Sequence, residues 1–139
     1  MKSIKIGLTV IILTASILFA SSCKKDPAPA PTTQEKILGK WKIQRISDNA
    51  FYSGLPHITT YTGNASDYAD FRSDGKVEIS LYGGLNTSQY GIVSETKIWI
   101  DDAADIYDVQ ELTNTALILH QKETYSVGEY YETTYTFNR

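Results

Sequence analysis

Alternation of apolar and polar residues is the dominant pattern along most of this chain. Val77, Ile79 and Leu81 alternate with Glu78 and Ser80, the period of two expected for a half-buried strand. The same period, interrupted by Gly, Asn and Asp, predicts strands over 40–47, 68–72, 76–82, 89–93, 96–101, 106–111, 116–123 and 129–138. A short helical turn is predicted over 35–38, and residues 48–66 are predicted to form a polar loop.

Eight short strands without a long helix predict an all-β fold. Regular spacing favours an antiparallel up-and-down barrel, with a sandwich as the alternative. Closure is favoured because an open sheet leaves two edges free to pair with other chains. A barrel of about eight strands is either filled by side chains or holds one small ligand. In the first strand, Trp41 and Ile43 share a face, and continued alternation would bring Arg45 to that face.

The N-terminus has the pattern of an export signal. Lys2 and Lys5 precede an apolar run over 6–20, which is short for the roughly 20 residues of a membrane-spanning helix. Small residues, Ala20 to Ser22, come directly before Cys23. This ending resembles a bacterial lipoprotein signal, in which the cysteine becomes the first mature residue and carries the lipid.

Three segments follow from this resemblance. Residues 1–22 are the predicted signal peptide, and 23–33 are the lipidated Cys23 and a Pro/Ala linker. The alternating prolines favour an extended spacer of roughly 30 Å. Residues 34–139 are the predicted domain. Lys24 follows the lipidated position, which implies an outer-membrane location and leaves open whether the protein faces the periplasm or the exterior.

Composition excludes several classes of partner and cofactor. The formal net charge is −3, which argues against a nucleic-acid footprint. One cysteine cannot form an intrachain disulfide, and two histidines do not complete a Cys/His metal site. We therefore expect no metal and no cofactor. Ten tyrosines favour β-structure, and their hydroxyls also suit contact with a ligand or a protein partner.

The polar residues that could support catalysis or metal binding have simpler explanations. Asp101, Asp102 and Asp105 could offer oxygens to calcium, but they lack the spacing of a calcium loop and read as a solvated turn. His57 lies in the predicted loop, and the period of its strand places His120 outside the barrel. No Ser or Cys stands in a nucleophile motif, so the sequence predicts no enzyme.

Several stretches together resemble the lipocalin-like domains of Bacteroidetes lipoproteins. Gly39 and Trp41 match the Gly-x-Trp of the first strand in that family, and Asp74 and Gly75 match its Asp-Gly hairpin. The matching stretches, in order, are 37–41, 68–77, 90–92, 97–100, 109–113, 117–119 and 135–139. The resemblance implies that Gly39 and Trp41 begin the strand that closes the barrel, and that Arg139 lays its guanidinium over the indole.

The sequence thus predicts a barrel anchored to the membrane through Cys23 that binds a small apolar or amphipathic ligand without catalysis. The predicted ligand-lining residues are Phe71, Val77, Ile79, Leu81, Ile98, Ile100, Leu117 and Leu119. The alternative is a structural subunit of a cell-envelope assembly, with a solid core and with surface aromatics that contact a protein partner.

Overall fold

Antiparallel strands make up most of residues 29–139, the part of the chain that the structure, a computed structural model, describes. The predicted signal peptide and Cys23 lie outside these residues. The elements are α1 (Thr33–Ile37), β1 (Gly39–Tyr52), β2 (Leu55–Thr62), β3 (Tyr68–Phe71), β4 (Lys76–Leu81), β5 (Gly84–Ser94), β6 (Lys97–Ile100), β7 (Ile106–Leu112), β8 (Ala116–Ser126) and β9 (Glu129–Asn138).

Eight of the strands close into a barrel. Each of β3 to β8 pairs with the next strand along the chain, β3 also pairs with the first part of β1, and β9 returns to pair with β1 from Lys42 to Phe51. The predicted all-β, up-and-down antiparallel barrel is therefore confirmed. The eight predicted strands correspond to β1 and β3–β9.

The predicted loop over 48–66 is wrong, because this segment holds the end of β1 and an additional strand, β2. The two strands form a hairpin in which Arg45 pairs with Thr62 and Tyr52 with Leu55. Its turn is Ser53-Gly54, and both residues have positive φ, as a two-residue hairpin turn with the right-handed strand twist requires.

Exposure explains why β2 shows no strand pattern in the sequence. All but one of its side chains are exposed, so no apolar face alternates with a polar one. Pro56 sits within β2, which is compatible with a strand that pairs only with β1 and has one free edge. His57 accordingly lies on a strand, where it stacks on Tyr52 with ring centroids 3.8 Å apart.

A β-bulge in β1 reverses the face expected for Arg45. The register on β9 skips Gln44, so that Ile43 pairs with Phe137 and Arg45 with Thr136. As a result Ile46 is buried and Arg45 is exposed.

The backbone passes very close to this bulge at Gly63. The Gly63 N–H donates to the Gln44 carbonyl at 3.0 Å. A Cβ on Gly63 would lie 1.9 Å from the Ile43 carbonyl oxygen, so only glycine fits where the chain leaves β2 and turns towards β3.

The helix α1 and the two ends of the domain seal one end of the barrel. The helix begins at Thr33, two residues before the predicted turn, because Thr32 and Glu35 form a capping box. Ile37 is fully buried, and its carbonyl accepts a hydrogen bond from the Trp41 indole at 2.7 Å. The helix therefore packs its last turn against the first strand.

Arg139 completes this closed end. Its guanidinium lies 3.6 Å from the Trp41 ring centroid, which is the contact that the family resemblance implies. Such a pair contributes about 0.5–2 kcal/mol. The same guanidinium donates to the Leu38 carbonyl at 3.0 Å and to the Lys36 carbonyl, two of the acceptors left unpaired at a helix C-terminus. Gly39, at φ +102°, carries the chain from this contact into β1.

The strand directions place the remaining connections at two opposite ends. Since neighbouring strands are antiparallel, the turns at 72–75, 95–96 and 113–115 lie at the closed end with α1. The β1–β2 and β8–β9 hairpins and the turns at 82–83 and 101–105 lie at the other end, here called the open end.

We predict that Gly63→Ala strongly destabilises the protein. The new methyl group would overlap a carbonyl oxygen of the backbone, so the bulge must shift, and we expect a loss of about 3 kcal/mol in the free energy of unfolding. Urea denaturation followed by circular dichroism measures the loss. Gly84→Ala is the matched control, because its Cβ would lie 3.4 Å from the nearest atom and should change stability by less than about 1 kcal/mol. Equal stability of the two variants would contradict the close approach at Gly63.

Candidate functional site

An apolar cavity of about 140 Å³ lies inside the barrel. Five of the predicted ligand-lining residues form part of its wall: Phe71, Ile79, Leu81, Ile100 and Leu119. Five further residues complete it: Ile43, Ala69, Tyr107, Tyr135 and Phe137. The two tyrosine hydroxyls are the only side-chain polar atoms among these ten residues.

The other three predicted lining residues do not border this cavity. Val77, Ile98 and Leu117 have no exposed surface and belong to the packed core. Trp41 and Ile37, also fully buried, belong to the same core at the closed end. The barrel is thus filled at one end and hollow towards the other.

Solvent reaches the cavity from the open end. Leu81, Ile100 and Tyr107 border it at strand ends that point towards the open end, and all three are partly exposed. At the same end the Tyr61 ring packs edge-on against Tyr82, with centroids 4.4 Å apart. The mouth of the cavity is therefore bordered by tyrosines.

Tyr107 and Tyr135 stand together where the apolar wall meets this mouth. Their rings make an edge contact with centroids 5.9 Å apart. Burial raises the pKa of both hydroxyls, and nearby carboxylates raise them further. Those carboxylates are Asp105, Glu123 and Asp101 around Tyr107, and Asp48 near Tyr135. Both tyrosines stay neutral near pH 7 and can donate or accept hydrogen bonds there.

A buried carboxylate fixes the loop beside this mouth. Asp67 is wholly buried, and its Oδ2 accepts from the Tyr61 hydroxyl at 2.6 Å and from the Asn64 N–H at 2.8 Å. The backbone hydrogen bond from Asn64 and the one from Tyr61 hold the pKa of Asp67 below its usual range. The Asp67 backbone carbonyl also accepts from the Ile43 N–H at 3.0 Å, so this loop is tied to the strand that lines the cavity.

The residues considered for catalysis or metal binding, two histidines and the aspartates of the 101–105 turn, lie in separate parts of the fold. His120 faces away from the cavity, 3.7 Å from Glu132, and His57 lies on β2 against Tyr52. Asp102 accepts from the Ala104 N–H at 2.9 Å and so shapes the 101–105 turn. Within residues 29–139, no three His, Cys, Asp or Glu side chains are grouped so as to hold a metal ion. Nor does any helix in that range reach the length and hydrophobicity of a membrane span.

Sequence reasoning missed half of the cavity wall for identifiable reasons. Ile43 was expected to face inward with Trp41, but alternation does not show that Ile43 borders the cavity while Trp41 belongs to the packed core. Tyr107 and Val109 alternate with Asp108 and Gln110, and Tyr135 lies between two threonines, so this period could have indicated an inward face for both tyrosines. An inward residue borders the cavity only if it lies at the right height along the barrel axis. That height depends on how neighbouring strands are staggered, which the alternation of apolar and polar residues does not specify.

No protein-family model and no curated protein matches this chain.

We predict that Tyr135 makes stability fall at alkaline pH. Its folded-state pKa is raised, so above about pH 10 the unfolded chain loses a proton that the folded chain keeps, and the free energy of unfolding decreases as pH rises. Tyr135→Phe should flatten this decrease by about 1 kcal/mol per pH unit, without changing the slope between pH 7 and 9. Chemical denaturation at a series of pH values measures both slopes. Identical slopes above pH 10 would contradict the burial of this hydroxyl.

Proposed function

We propose that this protein is a lipid-anchored envelope protein whose lipocalin-like barrel binds a small apolar or amphipathic ligand without catalysis. The observation that carries the proposal is the apolar cavity, which is sealed at the Trp41 end and accessible at the other. A cavity of this kind desolvates an apolar group, and its two hydroxyls orient any polar end towards the mouth.

The cavity volume limits the part of the ligand that it takes. At about 140 Å³ it is close in size to an engineered apolar cavity of about 150 Å³ that binds benzene. It is smaller than the roughly 300–1,000 Å³ of sites that enclose a whole drug-sized molecule. We therefore propose that one six-membered ring or a short alkyl chain enters, and that the rest of the ligand stays at the mouth.

The lipocalin-like assignment is supported by the closed end. In the family that the sequence resembles, a first-strand Trp and a late Arg close the barrel floor, and here Trp41 and Arg139 make that contact beside Gly39. The ligand of such a barrel enters opposite this floor, where the present cavity is open.

The proposed anchor fits the direction in which the barrel opens. The chain enters the domain through Thr32 and α1 at the closed end. A tether from Cys23 in the outer membrane would then attach at the closed end, and the mouth would lie on the side of the barrel away from the membrane.

Mass spectrometry of protein purified from its own cells tests the anchor. An acylated Cys23 at the mature N-terminus is the expected result, and an unmodified thiol would contradict it.

Nuclear magnetic resonance titration of residues 29–139 with 2-phenylethanol tests the ligand site. Burial of the ring predicts a dissociation constant of about 1 mM or tighter, with shifts confined to residues around the cavity. Ala69→Leu should weaken binding at least tenfold, since it fills the cavity from its wall. Ala103→Leu is the matched control on the exposed 101–105 turn and should bind normally. Absence of binding, or an equal loss in both variants, would contradict the proposed site.

A second candidate function, contact with an envelope protein, is favoured by the exposed hairpins at the open end. Tyr52, Leu55, Ile58, Tyr125 and Val127 project there into solvent, and β2 contains no Lys, Arg, Asp or Glu to discourage pairing along its free edge. If this contact is the function, Leu55→Ser with Ile58→Ser should abolish cross-linking to the envelope partner. Removal of both side chains without that effect would exclude this surface.

A further inference from the structure

We propose that the ligand of the cavity is a cationic amphiphile, whose ring or short chain enters the barrel and whose ammonium group stays among carboxylates at the mouth. This inference rests on the proposed function and specifies the chemical class of its ligand. The apolar cavity makes the site, and the carboxylates around its mouth determine which head group it accepts.

Asp48 is placed at the mouth by the register of β1. Ile46 pairs with Tyr135, and Asp48, two residues further towards the open end, pairs with Thr133 on the same face. The Thr133 hydroxyl donates to Asp48 Oδ1 at 2.8 Å, which fixes the carboxylate. Its charge acts on the Tyr135 hydroxyl that borders the cavity.

Glu123 and Asp105 stand on the side of the mouth that Tyr107 borders. Glu123 lies on the same face of β8 as Leu119, four residues further towards the open end. The Asp105 carbonyl accepts from the N–H of Ile100, a cavity residue, and Asp105 shares a face with Tyr107. The negative charges of Glu123 and Asp105 both act on the Tyr107 hydroxyl.

No basic side chain of the described residues neutralises these three carboxylates. The ion pairs within that range join Arg72 to Glu78, Lys97 to Asp108, and both His120 and Lys122 to Glu132. Lys122 is the basic residue nearest the mouth along β8, but it lies 4.1 Å over the Tyr130 ring, on the face opposite to Glu123. A positively charged group of a ligand can therefore act as the counter-ion of these carboxylates.

The rings at the mouth strengthen the preference for a cation. Tyr107 and Tyr135 present π-faces as well as hydroxyl acceptors, and ammonium groups bind favourably to both. The closed end, by contrast, carries charges of both signs: Lys36, Lys40, Lys42 and Arg139 lie near α1 and the start of β1, and Asp74 and Glu111 lie at the same end. The carboxylates at the mouth therefore make the local field favourable for a cation and unfavourable for an anion.

Calorimetric titration with three ligands of the same ring tests this inference. We expect 2-phenylethylammonium to bind roughly tenfold or more tighter than 2-phenylethanol, and 3-phenylpropanoate to bind most weakly, at pH 7 and low salt. The advantage of the ammonium over the alcohol should shrink in 0.5 M NaCl, because salt screens charges near the surface.

Paired variants identify the carboxylates responsible. In Asp48→Asn with Glu123→Gln, the ratio of ammonium to alcohol affinity should fall towards one, because only Asp105 of the three carboxylates remains. Asp74→Asn with Glu111→Gln removes the same charge at the closed end and should keep the ratio of the unmodified protein. Thermal unfolding of both variants checks that each is folded.

The outcomes separate this inference from the function on which it rests. If none of the three ligands binds, the proposed function fails. If the alcohol binds and the ammonium binds no tighter, the cavity is a ligand site and the inference is wrong. An equal change of the ratio in both variants would also overturn it, since net charge and not the mouth would then be the cause.

Discussion

The pairing of β1 with β9 is the constraint on which the rest of this structure depends. The other strands of the barrel pair with sequence neighbours and would form an open sheet by themselves, whereas this pairing joins the first strand to the last. It removes the two edges that such a sheet would expose. It also places Ile43 beside Phe137, and Ile46 beside Tyr135, so that the cavity has a continuous wall.

The two ends of the closed barrel differ in packing and in charge, and this difference underlies the functional proposal. At one end Trp41, Ile37 and Arg139 leave no space, and the Trp41 indole and the Arg139 guanidinium donate to the carbonyls at the end of α1. At the other end the strands enclose a small apolar volume beneath tyrosines and beneath carboxylates that form no ion pair within residues 29–139. A barrel that only needed stability could fill both ends, because empty apolar volume lowers stability.

Much of the fold could be predicted from the sequence, since a half-buried strand shows its buried face as alternation. Val77, Ile79 and Leu81 illustrate this, and the eight strands of the barrel were predicted in the right order. β2 could not be predicted in the same way, because its exposed faces give no period and its Ser53-Gly54 turn resembles any loop. The reversal at Arg45 depends on a bulge that pairing with β9 imposes. The candidate site was only half predictable, because alternation gives the face of a residue and not its height in the barrel.

Binding of xenon most directly tests the central claim, which is that the barrel is sealed at the Trp41 end and contains an accessible apolar cavity. Under xenon pressure, the methyl resonances of Ile43, Ile79 and Leu119 should shift and saturate together, since a dry apolar cavity of this size binds xenon. The exposed methyls of Val127 should not follow them. If the resonances of the cavity methyl groups do not change, the interior of the barrel is filled and the proposed cavity does not exist.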